Sequence, residues 1–581
     1  MARQPDKDGR PLPCLVIHPY PTARQPLALT SKLAAWALAV ACLQGTAWAQ
    51  APATPPYTPN GPAIQMPEGL RGDFQWDFAT YRKDDAIGAP EVPERIGSNA
   101  YLQLLYDRGP FSAGVRFESY QPPLLGFDPN YRGTGLPYRF IRYNSGMLDI
   151  TVGNIYDQFG SGTAFRTYQE WGLGYDNSLD GVRAIVRPGY GLQVKGLIGT
   201  QRKFFTQSPG IVRGADVQWR LAEVPGLDSS AWAPVTIGLA GVSRYQRDDN
   251  PTYILPQNSG LISPRLRYDG KHWTGTFEYA YRGQDPSAAN AFIYRPGQAL
   301  WAQIGYGKGQ LGFTVAAKRI DNMDFRSDRN EGFNNVLVNY LPPLTPQLTY
   351  RLTTLYPYAT QPVGEMGLQA DFFYRLPAGR WLGSTSANFI GNYTRIQGLD
   401  RQPTGDLRGY SSPFFKPGGE VYYELIQAEA QLKFNPRLKG TLGYYGITAN
   451  IPVIKVAEYS GIVYSHTGVA DLTYKMPNKR SLRIEGSYLH TQQDRGSWAL
   501  LLAEYTIAPR FFFSIWDEYN LGNDEPSRRI HYIGGQAGYI AGSLRVTAGY
   551  GRQRAGVFCV GGVCRVIPAS NGMQVSVSGN F

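Results

Sequence analysis

From Gly72 onward the chain alternates between apolar and polar positions. KHWTGTFEYAYRG sets Trp273, Gly275, Phe277, Tyr279 and Tyr281 on one face, and Thr274, Thr276, Glu278, Ala280 and Arg282 on the other. RSLRIEGSYLH repeats the arrangement, with Leu482, Ile484, Gly486 and Tyr488 against Arg483, Glu485 and Ser487. In FSAGVRFES, Phe111, Ala113, Val115 and Phe117 oppose Ser112, Gly114, Arg116 and Glu118. A period of two with one apolar face is the signature of a strand that is wet on one side only.

A soluble sandwich has the same period, so the connections decide the architecture. Short turns at 107–110, 144–146, 188–190, 269–271, 435–437, 508–510 and 541–542 alternate with longer polar stretches at 120–137, 156–180, 247–259, 284–297, 397–422, 449–466 and 553–571. Short turns on one rim and long loops on the other predict an all-β fold. It is a single large antiparallel transmembrane β-barrel with short periplasmic turns and long extracellular loops, in the outer membrane of a Gram-negative cell. The count is about 26 strands, or roughly 22 to 24 if weak segments such as 334–340 are merged into loops. The chain closes on MQVSVSGNF, where Met573, Val575, Val577, Gly579 and Phe581 share one face. This end resembles the terminal strand by which the barrel-assembly machinery of the outer membrane recognises its clients. The expected partners are therefore that machinery and outer-membrane lipid.

Composition agrees with this reading. Forty Tyr, 26 Phe, 11 Trp and 67 Gly are high for a multidomain soluble enzyme, and beyond the N-terminus no apolar run reaches the length of a spanning helix. Lys32, the apolar Leu33–Leu43 and the small-x-small Ala47-Trp48-Ala49 predict a signal peptide over residues 1–49. A lipoprotein signal through Cys42 is the weaker alternative, because Ala39 stands where such signals place Leu. Residues 50–71 read as a Pro-rich periplasmic tether and 72–581 as the barrel. Two dozen residues before the first strand are too few for a folded plug domain, which needs at least roughly 50. Whatever closes the lumen is then expected to come from the barrel's own loops or from a partner.

Removal of the signal leaves Cys559 and Cys564 in FCVGGVCRV, which read as a small loop disulfide in an exported chain. The formal charge of the chain is +12; the signal segment carries five Lys/Arg and two Asp/Glu, which leaves +9 on the mature part. With no basic block, that balance does not point to nucleic acid.

The densest chemistry lies in GNIYDQFGSGTAFRTYQEWGLGYDNSLDG, residues 153–181. Its Gly160-Ser161-Gly162-Thr163 lacks the lysine and the following helix of a phosphate loop. Asp176-Asn177-Ser178-Leu179-Asp180-Gly181 begins like a calcium loop but has Arg187 where a bidentate Glu belongs, so no metal and no cofactor are expected. The four histidines of the mature chain, His272, His466, His490 and His531, have no Ser and acid at catalytic offsets, and no catalytic residue is assigned; an enzyme reading would require His490, Asp494 and a Ser to meet in a cleft. Phe159, Phe165, Tyr168, Trp171 and Tyr175 need apolar surroundings, while Arg166, Glu170 and Asp176 need partners. A third long loop folded back into a charged lumen meets both needs; packing on neighbouring loops is the alternative.

Gly153, Tyr156, Gln158, Phe159, Gly160, Gly162, Arg166, Glu170, Leu173, Gly174, Asp176, Asn177, Asp180 and Gly181 together form a run similar to the signature of a family of outer-membrane β-barrel proteins of the Bacteroidota. The resemblance implies fold and location and carries no activity with it. The expected function is a porin-like channel or transporter, passive or gated, for polar solutes. Its constriction or plug would be built from Tyr156, Gln158, Phe159, Gly160, Gly162, Arg166, Glu170, Asp176, Asn177 and Asp180. The rival is a non-transporting barrel that serves as scaffold or partner in a secretion or surface-export assembly. An open bore lined by charge of one sign favours the channel, and a lumen filled by the third loop beneath apolar outer loops favours the scaffold.

Overall fold

The computed structural model describes residues 68–581 apart from 333–334, 380–381, 455–458 and 562. The signal segment and most of the tether lie outside the described residues. Twenty-four strands, each antiparallel to its chain neighbours, form one continuous sheet from Leu70–Thr80 to Ser570–Asn580. Those two end strands pair in turn, with Asp73 opposite Asn580 and Ala79 opposite Gln574, so the sheet closes on itself and has no free edge.

Alternation sets the two faces. Phe111, Val115 and Phe117 point outward and are exposed, whereas the intervening Arg116 and Glu118 are each only 1% exposed. The same outward face carries Phe277, Tyr281, Ile484, Tyr488 and, on the last strand, Met573. Near the short-turn ends, outward rings pair up: Trp273 with Tyr306 at 4.8 Å between centroids, Phe111 with Tyr143 at 5.1 Å and Phe511 with Tyr539 at 5.0 Å. An apolar outer belt with aromatics at its edge is the surface that a lipid bilayer requires of a barrel.

The rims differ as the sequence pattern predicts, with two exceptions. Thr206–Arg220 follows Leu192–Lys203 after only Phe204 and Phe205 on the long-loop rim, and residues 221–234 make a longer excursion on the short-turn rim. The larger departure is at 322–363. This stretch, in which 334–340 reads as a weak strand, contains no barrel strand among its described residues; it leaves the wall after Leu311–Asp321, folds into the lumen and rejoins at Gly364–Leu376. That accounts for a count of 24 where the alternation suggests about 26.

Candidate functional site

Two segments occupy the long-loop half of the lumen. The first is residues 156–178, between Leu148–Ile155 and Leu179–Gly189, and the second is 322–363. Phe159, Ala164 and Phe165 of the first pack with Met323, Phe325 and Val338 of the second and with the inward-facing Leu197, Val212, Val242 and Leu261, forming a buried apolar cluster inside the barrel. Farther round, Leu344, Leu352, Tyr356 and Tyr358 pack on Ile396, Leu425, Ile447, Leu489 and Trp498. Water is excluded from both contacts, and each buried large apolar side chain contributes about 1.5–3 kcal/mol.

The two segments also pair with each other. The amide of Arg166 donates to the carbonyl of Val338 at 2.9 Å, and that of Tyr340 to the carbonyl of Gly162 at 2.9 Å. The Asn177 side-chain amide donates to the Leu337 carbonyl at 2.8 Å and to that of Arg166 at 3.2 Å. The Arg166 guanidinium lies between the rings of Tyr168 and Tyr340, 4.2 Å from each centroid. Among the described residues Arg166 pairs neither with Glu170 nor with a wall carboxylate, and contributes as a cation between two ring faces.

Ion pairs join this unit to the wall. Asp176 accepts from Arg116, from Arg202 at 2.7 Å and from the Tyr156 hydroxyl at 2.6 Å. Arg202 also forks onto Glu118 at 2.6 and 2.9 Å, and Arg116 reaches Glu118 at 2.7 Å. Burial opposes ionisation of Asp176, but the Arg202 and Arg116 guanidiniums outweigh it and hold the carboxyl below the usual carboxylate range. Tyr156 stacks on Tyr138 at 4.9 Å. Lower down, Asp157 accepts from Lys195 at 2.7 Å and from Arg183 at 3.2 Å, and the Gln158 carbonyl accepts from Lys195 at 3.3 Å. On the second segment, Lys318 of the wall bridges Glu365 and the Pro342 carbonyl, and Arg351 pairs with Glu518.

Gly160 and Gly162 form the innermost turn. Gly160 has φ +54°, and a Cβ there would lie 2.6 Å from the Glu278 carboxylate and 2.9 Å from Arg265. Glu278 in turn accepts from the Ser161 amide at 2.8 Å. The glycines thus permit close approach to the wall, and what looks like a phosphate loop is a docking turn. Glu170 takes no ion-pair partner among the described contacts. It accepts from the Gly172 amide at 3.1 Å, and burial pushes its carboxyl up to about 8. Asp180 is the one candidate residue outside the infolded unit. It lies on the wall strand, on the face opposite Leu179 and Arg183, and is held by Arg139 at 2.9 Å and Gln207 at 2.6 Å. As a constriction residue Asp180 is corrected to an outward rim position, because alternation turns it away from the lumen.

The last outer loop covers this unit. Gly556–Val560 and Val563–Ile567 form a hairpin closed by the Cys559–Cys564 disulfide. Its carbonyls accept from Tyr340 at 2.9 Å, through Gly561, and from Gln347 at 3.2 Å, through Cys559. His490 does reach a serine, Ser497, at 3.2 Å, but the Asp494 carboxylate is taken by the Tyr356 hydroxyl at 3.0 Å. Ser497 also bonds both backbone groups of Thr491, as a hydroxyl that shapes its own turn does.

Below the infolded unit the wall is wet. Asp371, Glu429, Asp471, Arg483 and Glu504 face inward and are partly exposed, in contrast to Arg116, Glu118 and the 1% exposed Glu278 behind the first segment. The lumen is thus filled toward the long-loop mouth and hydrated toward the short-turn mouth.

Comparison with solved structures finds the P pilus usher PapC translocation pore, at 9% identity over 88% of this chain and 99% of that one with a TM-score of 0.43. It also finds OccD3 (OpdP) of Pseudomonas aeruginosa, at 11% identity over 78% and 94% with a TM-score of 0.35, and the siderophore receptor PirA of Pseudomonas aeruginosa, at 10% over 89% and 81% with a TM-score of 0.38. No curated protein matches the chain. The sequence model of a family described as a family of unknown function, DUF6029, matches residues 38–581, and the chain belongs to that family.

Proposed function

We propose that this chain is an outer-membrane barrel that passes polar solutes through a gated lumen, with residues 156–178 and 322–363 as a two-part internal plug. The long loops are taken as extracellular and the short turns as periplasmic. The observation that carries the reading is the division of the lumen: a plug held by side-chain contacts at one mouth and a hydrated, charged wall below it. A scaffold has no use for a polar vestibule, whereas a solute path needs one. Because the plug is joined to the wall by discrete ion pairs, it can leave as a unit without unfolding the barrel.

A second reading has its own support. Ile254 on one outer loop, and Leu407 and Phe415 on another, are 88%, 68% and 85% exposed. Apolar loop tips of this kind suit a protein partner, as a surface-export scaffold would require. Single-channel recording in a planar bilayer separates the two, using the refolded mature chain beside variants in which residues 156–178 or 324–341 are replaced by a short Gly-Ser link. Steps that are rare in the intact protein and frequent in either variant support the plugged channel. Silence from all three, with folding verified by heat-modifiable gel mobility, refutes it and leaves the scaffold.

A further inference from the structure

The hydrated part of the wall is chemically one-sided. From Gly364–Leu376 round to Trp498–Ile507, the inward face at mid-height presents Asp371, Glu429, Asp471, Glu485 and Glu504, with Arg483 as the one cation at that level among the described residues. Arg483 serves three of the acids, at 2.9 Å to Asp471, 2.7 Å to Glu485 and 3.9 Å to Glu504. Among the described residues Asp371 and Glu429 have neutral donors: Asn392 at 2.6 Å and Gln369 at 2.9 Å for the first, Tyr445 at 2.5 Å, Gln427 at 2.8 Å and Gln431 at 3.4 Å for the second. Arg375, Lys433, Lys439 and Lys475 belong to the periplasmic ends of these strands, away from the acidic level.

An independent observation points to what is missing. Gln427 is 6% exposed and Thr467 is fully buried, yet the Gln427 side-chain carbonyl and the Thr467 hydroxyl have no hydrogen-bond partner. Gln427 spends its amide nitrogen on Glu429, and its carbonyl oxygen is the end left without a partner. Thr467 sits in register with Tyr445, whose own register partner on the other side is Gln427. Above them Tyr350, from the second plug segment, meets the Tyr445 ring edge-on at 6.2 Å between centroids. This part of the wall therefore presents carboxylates, an unpartnered amide oxygen, an unpartnered hydroxyl and a ring face.

A ligand that completes it brings N–H donors and positive charge. We infer that this acidic stretch of the wall binds an organic ammonium ion of diamine size, and that polar amines are the solute class the barrel admits. The second clause rests on the channel reading; the first does not. The net basic charge of the mature chain gives no guide here, because it sums charges over both faces and both rims.

The test is calorimetric titration of the refolded full mature chain with putrescine, with 1,4-butanediol and succinate as neutral and anionic counterparts of similar length. Putrescine binds, the counterparts do not, and E429Q weakens binding about tenfold, the loss of one charge-assisted hydrogen bond. Q427M weakens it as well and keeps the test alive should E429Q misfold. Equal binding of butanediol, unchanged affinity in both variants, or no heat from putrescine overturns the assignment. Conductance in the plug-deleted variants is read separately: steps without putrescine binding sink the amine inference alone, and binding without steps sinks the channel alone.

Discussion

Replacing Asp176 by Asn removes one negative charge from the buried network that ties the first plug segment to the wall, and nothing else of comparable size. The Asn oxygen still accepts from the Ser178 amide, as Asp176 does at 2.8 Å. What remains is two guanidiniums, Arg116 and Arg202, sharing the single carboxylate of Glu118, all with side chains 3% exposed or less. Breaking a buried pair from one side costs about 3–5 kcal/mol, because it leaves an uncompensated charge. The closed barrel does not have to unfold to relieve that cost, since release of residues 156–178 lets water reach both arginines. At 1.36 kcal/mol per decade the release equilibrium rises by about two to three and a half decades. Hydrogen exchange followed by mass spectrometry reads this directly. In D176N, peptides spanning 156–178 exchange at least about a hundredfold faster, while those from Leu192–Lys203 and Thr206–Arg220 keep their protection. Loop protection within about threefold of the parent, with the protein folded, would show that apolar packing alone retains the plug and that the ion network does not hold it.

Other outcomes follow from the same geometry. Gly160→Ala places a Cβ at φ +54° against Glu278 and Arg265, so the docking turn loses at least about 1 kcal/mol from its left-handed backbone alone, seen as faster exchange at 158–164. For the pH dependence of Asp176, a carboxyl held below its usual value stabilises the closed plug at neutral pH. That contribution is lost as pH falls through the depressed value, so acid below the ordinary carboxylate range increases proteolysis within 156–178. Glu170 has the opposite sign: raised to about 8, it is neutral when buried at pH 7, and the segment weakens as pH climbs from the ordinary Glu value through 8. E170Q therefore protects the segment from protease at pH 9 and changes nothing at pH 5. Converting Cys559 and Cys564 to Ser releases a ring that contributes about 2 kcal/mol, raising exchange in 556–567 and in the 340–347 stretch it touches, with the barrel strands unaffected.

The wall was legible in the sequence because each strand sees lipid on one side and lumen on the other, which writes a two-residue period into the chain. Phe277 against Glu278 and Ile484 against Glu485 report inside and outside without ambiguity. The third loop was legible for the opposite reason, since rings and charges crowded into a non-periodic run need a buried setting. Residues 322–363 were harder. Val336, Val338 and Tyr340 alternate as a strand does, because this segment also has one face on its partner loop and one on apolar neighbours. The discriminating signal was present in Pro342, Pro343, Pro346, Pro357 and Pro362, whose missing N–H groups bar a central ladder strand. Arg202 carried no local signal at all. Its role depends on Glu118 and Asp176, which curvature of the wall and the infolding of 156–178 bring beside it.

The closing seam has a consequence for the order in which the molecule is completed. Leu70–Thr80 meets Ser570–Asn580 across nearly the whole length of the described chain, and that pairing is the slowest kind for a polypeptide to find. At its outer end the seam is clasped by Asp84, which binds Arg552 at 2.7 Å and Asn571 at 2.8 Å. The disulfide hairpin that sits on Tyr340 and Gln347 lies between those two clasping residues, immediately before the last strand. The Asp84 clasp thus ties both flanks of the hairpin to the end of the first strand. Cover of the infolded unit and sealing of the wall thus depend on one short stretch of chain, residues 552–571.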